Sequence, residues 1–288
     1  MGLRDRRARR GPRGTRALNN QLAFGITAAV RDGHGRLVTE VERLGYSELW
    51  VNDTPRGDGL ATLAAVAQGT RSLRFGVGVI ALSEQTPAQI AARVLAARLP
   101  SDRLTIGVGS GSSPSLALVR DGVTELRQLL SDMPIAVAAV GPRMAHLAGE
   151  VADVVVANWA LPDRLAWIRQ RVAEGADAAE RPAPRFVAYV RTAVGAGSNN
   201  RLRDEMDRYR SYGAHYARAF DEQPIELIGV AVESGDSADV AAALAPYWSV
   251  VDTVVVRGLP IGDTVEAWLG VAATAATGRV SRIRRQGW

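Results

Sequence analysis

The stretch Pro134–Trp159, PIAVAAVGPRMAHLAGEVADVVVANW, decides the fold. It reads as a buried strand, a Gly-Pro turn, a short helix and a second buried strand. Pro142 suits the first helical position, where a missing N–H costs nothing and φ is already near the helical value. A strand emptying onto a helix start directs free backbone N–H groups and the positive end of the helix dipole at one point, which suits a phosphate. Arg143, in the first turn, adds a charge-assisted contact. The same residues also suit an ordinary strand–helix–strand unit with a surface arginine, and this stretch alone leaves both readings open.

Outward from it, short apolar runs alternate with helical patterns to the end of the chain. The strand candidates are 22–27, 47–51, 72–79, 103–109, 134–139, 153–157, 185–193 and 252–257. Each is uniformly apolar, as expected of parallel strands covered on both faces. Helical periodicity fills 37–44, 59–69, 87–98, 115–130, 142–150, 163–174, 200–219, 236–246 and 262–276. Eight strands, each followed by a helix, predict an α/β protein with a (β/α)8 TIM barrel over 17–277. A doubly wound open sheet is the competing fold, because GVGSG at 107–111 loosely matches a dinucleotide fingerprint, although the third glycine is missing. The segment 195–235 is the least regular. It is expected over the barrel mouth or at a subunit contact, with its tyrosines serving as core packing.

Composition narrows the function classes. The chain of 288 residues is 47% hydrophobic and 23% charged, which describes a globular protein large enough for one big barrel. With no cysteine, disulfides, thiolate metal sites and cysteine nucleophiles are excluded, and three scattered histidines argue against a histidine metal site. No lysine occurs among the 35 basic residues, which excludes Schiff-base chemistry. Residues 1–16 carry seven arginines and one aspartate, and 278–288 carry four arginines. The basic character therefore belongs to these two tails, with the body near −5 once their +10 is taken from the overall +5. Such tails can contact polyanions. The body lacks the basic stripe and stacking aromatics of a nucleic-acid binder, so nucleic acid is not the expected partner. No membrane span or secretory signal is read, and the cytoplasm is the expected compartment.

In a barrel the reacting groups stand at the C-terminal ends of the strands. Those positions are Arg31–His34, Asn52–Arg56, Ile80–Gln85, Ser110–Ser113, Val140–Arg143, Asn158-Trp159, Thr192 and Arg257-Gly258. Glycines crowd the third and fourth strands, at 76, 78, 107, 109 and 111. Glycine in a strand marks close approach of something flat or of another backbone, here either a planar cofactor or internal packing. Asp53 is the one carboxylate directly beyond a strand end, suited to a cofactor or substrate group or to capping the next helix. Neither paired carboxylates nor a nucleophile–base pair is evident in these loops, a pattern expected when a cofactor carries the chemistry.

Four segments resemble the bacterial luciferase-like monooxygenase superfamily: LGYSELWVND (44–53), LRFGVGV with TPAQIA downstream (73–91), SDRLTIGVGSG (101–111) and AAVGPRMAHLAGEVADVVVANW (138–159). The last is typical of the branch that uses the deazaflavin coenzyme F420; other members use FMN. The resemblance implies hydride transfer between reduced F420, or FMN, and a small organic substrate, in a chain that forms a homodimer. It implies a phosphate on the helix start at Gly141, Pro142, Arg143 and Met144, with Ala139 and Val140 as further cofactor contacts. Ring contacts would come from Gly78, Val79, Ile80, Gly107, Gly109, Ser110 and Asp53, with Asp53 as the catalytic candidate and Asn158 and Trp159 facing substrate. It also implies a non-proline cis peptide around Val79-Ile80. Three features depart from the family pattern: Thr54 follows Asp53 where histidine is common, Gln85 stands where arginine is usual, and the stretch 110–133 is short. Besides an oxidoreductase, the sequence thus admits a catalytically quiet cofactor-binding partner subunit, and a polyanion-binding protein acting through the tails.

Overall fold

Strands built almost wholly of Val, Ile and Ala can leave neither face to water, and this chain closes them into a ring wrapped by helices. The computed structural model describes residues 18, 20–28, 33–54, 57–223, 226–262 and 264–286. In chain order the elements are β1 (Gln21–Thr27), α1 (His34–Arg43), β2 (Glu48–Asn52), α2 (Gly59–Ala67), β3 (Arg74–Ala81), α3 (Pro87–Ala97), β4 (Leu104–Gly109), α4 (Leu116–Leu129), β5 (Ile135–Ala138) and α5 (Pro142–Val151). They continue with β6 (Val154–Asn158), α6 (Pro162–Ala178), β7 (Arg185–Val194), α7 (Ser198–Arg210), α8 (Ala214–Asp221), β8 (Val230–Val232), α9 (Ser237–Leu244), β9 (Thr253–Gly258) and α10 (Val265–Gln286).

The strands run in the order β6-β5-β4-β3-β2-β1-β9-β7-β8, and a further β6–β7 pairing closes the ring. Eight parallel strands thus form a TIM barrel, and the open doubly wound sheet is overturned. The extra strand, β8, was not expected from sequence. It pairs outside the ring with the end of β7, Thr192 opposite Val230 and Val194 opposite Val232. Three residues are too few to show a period. The helix expected over 200–219 is two helices, α7 and α8, broken at Gly213, whose φ of 146° no other residue adopts readily. Helix α10 continues to Gln286, into the segment read as a basic tail, whereas the tail 1–16 lies outside the described residues.

Alternation along the strands sorts the side chains into two layers. Ala23, Trp50, Ala136, Val156, Val187, Tyr189 and Val255 fill the barrel. Their neighbours pack outward against the helices in one larger core. Trp50 is the largest inward residue, and β3 gives way to it: a Cβ on Gly76 would lie 2.3 Å from the Trp50 ring. A Cβ on Gly78 would lie 2.6 Å from the Tyr189 hydroxyl. The close approach that these two glycines signal is therefore made by side chains of the barrel itself. At the floor, Trp50 Nε1 donates to Glu48 at 2.7 Å, and Glu48 is also held by Arg74 and Arg185. No helix among the described residues is long and apolar enough to cross a membrane.

Candidate functional site at the barrel mouth

The C-terminal ends of the strands form two unlike halves. Over β7, β8 and β9 the mouth is roofed by α7 and α8. Their side chains Leu202, Met206 and Phe220 join Trp159, Ala193 and Leu259 in a separate apolar cluster. From β1 round to β6 the ends stay partly open, with Thr27, Asp53, Val79, Ala81, Ser110, Ala138, Val140 and Asn158 half-buried. The connection from β4 to α4 is only residues 110–115, too short to cover this arc.

The phosphate candidates lie together on the arc. Gly141 caps α5 in an extended conformation (φ −100°, ψ 165°), with Pro142 at the first helical position. The first bond of the helix is Ala145 N–H to Gly141 C=O, at 2.9 Å. No acceptor among the described residues takes the N–H of Gly141, Arg143 or Met144. A Cβ on Gly141 would find nothing within 4 Å. Three open donors at a helix start, beside free space and an exposed Arg143, form a cradle whose geometry suits an anion. Ala139 and Val140 support it from behind: Ala139 is buried and its N–H donates to Val156, and Val140 C=O accepts from Arg164 at 3.4 Å.

Register brings the ring candidates beside this cradle. Ala81 is opposite Gly109, and Val108 is opposite Val137. The β3–β4 register slips between Val77 and Ile80, and the peptide Gly78-Val79 is cis, one bond earlier than the sequence placed it. Val79 is half-buried at the edge of the arc, and Ile80 is buried outward. Gly107 is packed, since a Cβ there would sit 2.3 Å from Val77 C=O. Gly109 has more room, its nearest neighbour being Val79 Cγ2 at 3.1 Å. Ser110 is half-buried and continues the arc.

Asp53 stands apart from these residues in chemistry. It accepts from the N–H of Gly59 at 2.8 Å, at the start of α2, and pairs with Arg93 at 3.3 Å. Arg93 also holds Asp58 at 2.7 Å and Gln85 at 2.5 Å. Burial pushes the Asp53 carboxyl up from its ordinary value, against the opposing pull of Gly59 N–H and Arg93. Asp53 and Gln85 thus share one arginine that ties β2, α2 and α3 together. His34 is not a mouth-loop residue; it opens α1 and is buried.

Of the substrate candidates, Trp159 falls under the roof and Asn158 at the end of the open arc beside it. Trp159 is buried with φ at 53°, and its ring meets Tyr209 at 5.0 Å and Phe220 at 5.3 Å between centroids. Gln223 donates to its C=O at 3.0 Å. Asn158 accepts a hydrogen bond from Arg191, whose guanidinium lies 4.3 Å above the Trp159 ring. Arg257 donates to Asn52 at 2.8 Å and to Gly258 C=O at 2.6 Å. Arg191 and Arg257 are 1% and 2% exposed, so two guanidinium groups enter the barrel beneath α7. Burial, with Arg191 nearby, brings Arg257 down to about 10. Burial opposes ionisation of Glu205 on α7, yet Arg257, Arg191 and Arg208 hold its carboxyl below the ordinary range. The sequence reading gave Arg191 and Glu205 no role. The available signal was an arginine inside the apolar run RFVAYVRTA, where a charge is rare unless it has a task.

Comparison with known proteins agrees with this architecture. The model of the family described as luciferase-like monooxygenase matches residues 14–129 and 117–278, two segments that meet within α4. A 4-hydroxyprotoasukamycin monooxygenase of Streptomyces nodosus subsp. asukaensis is 36% identical over 83 residues, covering 26% of this chain and 22% of that protein. A 5,10-methylenetetrahydromethanopterin reductase of Methanolobus tindarius is 24% identical over 176 residues, covering 49% and 54%. The chain thus spans about a fifth and about half of the length of these two curated relatives. Among solved structures, an F420-dependent secondary alcohol dehydrogenase in complex with an F420-acetone adduct superposes with a TM-score of 0.69 at 13% identity, covering 89% of this chain and 99% of that one. The oxygenating constituent of 3,6-diketocamphane monooxygenase from Pseudomonas putida, in complex with FMN, gives 0.61 at 13% identity, covering 91% and 98%. The family match extends over nearly the whole barrel, and this chain belongs to the luciferase-like monooxygenase family.

Proposed function

We propose that the chain is an oxidoreductase that binds coenzyme F420, with FMN as the alternative, and serves hydride transfer to or from a small organic substrate. The observation that carries this reading is the cradle of three open amides at Gly141, Arg143 and Met144, next to a half-buried arc of strand ends. Both cofactors end in a phosphate-bearing tail joined to a flat ring. The bound ring would supply the hydride chemistry, which this chain's side chains do not. Gly141, Arg143 and Met144 would hold the tail, and Val79, Gly109, Ser110 and Ala138 would border the ring. Asp53, tied to Gly59 and Arg93, braces the wall of the arc and is the carboxyl nearest the ring site in this reading.

Titrating the purified chain with F420 and with FMN, followed by fluorescence, tests the reading. Binding of one of them in the micromolar range is expected, and no binding of either would end it. The engaged state of Asp53, with Thr54 in the position after it, favours a second reading, a cofactor-binding partner subunit without turnover of its own. Turnover by the isolated chain with any substrate would refute that.

A further inference from the structure

Among the described residues, eight buried side-chain polar atoms have no hydrogen-bond partner; Arg171 Nε, Ser198 Oγ and Asp252 Oδ1 are scattered, and the other five belong to β7, Trp159 and Glu205. They include Arg191 Nε and Nη2, Trp159 Nε1 and the Tyr189 hydroxyl. Tyr189 and Arg191 point the same way from β7, and the Arg191 guanidinium lies 4.3 Å from the Trp159 ring and 4.8 Å from that of Tyr209. Fully buried polar groups are nearly always satisfied, so the three unmet donor atoms of Arg191 and the adjacent Trp159 need an account. The charge balance points the same way. Arg191 and Arg257 are both buried, and the nearby buried carboxylate, Glu205, is already shared by Arg201 at 3.3 Å and Arg208 at 2.5 Å. Four guanidinium groups thus face one carboxylate. Glu205 Oε1 is itself unpartnered, but a single oxygen cannot meet all of these donors.

The arrangement of the free atoms is selective. Arg191 uses Nη1 on Asn158, leaving Nε and Nη2, the side-on edge whose two parallel N–H bonds match the two oxygens of a carboxylate. The surroundings of the guanidinium are aromatic, with the Trp159 and Tyr209 rings at 4.3 and 4.8 Å, and suit the apolar body of an organic acid better than a strongly hydrated phosphate dianion. Asn158 is half-buried on the open arc and marks the way in.

We propose that Arg191, with Trp159 Nε1, binds the carboxylate of a small organic acid, which defines the substrate class of this site. This deepens the oxidoreductase reading and rests on it for the word substrate, but the binding itself needs no cofactor.

The test is therefore made on the full chain twice, alone and with F420 or FMN at saturation. The probes are benzoate, the neutral isostere benzamide and inorganic phosphate, followed by quenching of tryptophan fluorescence and by the thermal midpoint. Benzoate is expected to quench and to raise the midpoint, with benzamide and phosphate at least tenfold weaker. In Arg191→Gln, affinity for benzoate is expected to fall about tenfold to a hundredfold, as for loss of a charge-assisted pair. Equal binding of benzoate and benzamide, tighter binding of phosphate, or no binding of benzoate at tens of millimolar would each overturn the proposal. If Arg191→Gln fails to fold, Trp159→Phe decides, because it removes a single donor and must weaken benzoate more than benzamide. Loss of F420 and FMN binding with benzoate binding intact would count against the cofactor reading alone.

Discussion

Gly76 and Gly141 differ in what an added methyl group would meet. At Gly76 it would strike the Trp50 ring at 2.3 Å, so Gly76→Ala forces the buried indole aside and should cost about 1–3 kcal/mol in urea unfolding. At Gly141 it would meet nothing within 4 Å, and the extended backbone there suits any residue. Gly141→Ala is accordingly expected to change stability by less than about 0.5 kcal/mol. It should weaken F420 or FMN binding several-fold by filling the space in front of the open amides, and a titration beside a denaturation curve separates the two effects. These residues also show how far a sequence can be read. The crowding of glycine in β3 announced a close approach, but the group that approaches comes from β2, 26 positions before Gly76, and only the parallel pairing of β2 with β3 sets Trp50 opposite Gly76. The cradle residues were legible because strand, turn, proline and helix follow one another within a few positions. Arg191 was visible as an arginine in an apolar strand, yet its inward direction depends on strand parity within the closed ring.

Helices α5 and α6 cross at a pair of facing glycines. A Cβ on Gly149 would lie 2.0 Å from Val172 C=O, and one on Gly175 would lie 1.9 Å from His146 C=O. Backbone cannot step aside as a side-chain end can, so alanine at either position must push the helices apart. We expect Gly149→Ala to lower stability by about 2 kcal/mol or more, read as a shift in the denaturation midpoint. Because α5 carries the amide cradle at its other end, cofactor affinity should fall as well. This sets Gly149→Ala apart from Gly76→Ala, whose effect is confined to the barrel interior. At this scale the sequence was read well wherever an element is long and periodic, as in α3 with its Thr86–Gln89 capping box. It was read poorly at β8, and at the break between α7 and α8, where a single positive φ at Gly213 outweighs a helical pattern running through both sides.

Across the whole molecule, acid should unfold the protein through its engaged carboxylates. Glu205 is held low by Arg257, Arg191 and Arg208 despite its burial, and Glu233 is held low by the N–H groups of Asn199 and Gly197. A carboxyl lowered in the folded state contributes its stability in full above the unfolded value of about 4.3 and loses it as pH falls below that. Stability should therefore decline below about pH 4, and Glu205→Gln should flatten that decline, as measured by urea midpoints between pH 6 and 3. Asp53 acts with the opposite sign: its carboxyl is raised, so its contribution is lost as pH rises through the raised value.

β7 differs from every other strand in length and in the company it keeps. Of its ten residues, 185–192 bond to β6 and β9 inside the ring, and 192–194 bond to β8 outside it. Arg191 stands just before the point where the strand passes from one set of neighbours to the other. The roof and the wall are thus spliced along one continuous backbone, and neither can breathe without the other. Amide deuteration along 187–194 should accordingly proceed at one common rate, and an organic acid seated on Arg191 should slow that whole segment together rather than its far end alone.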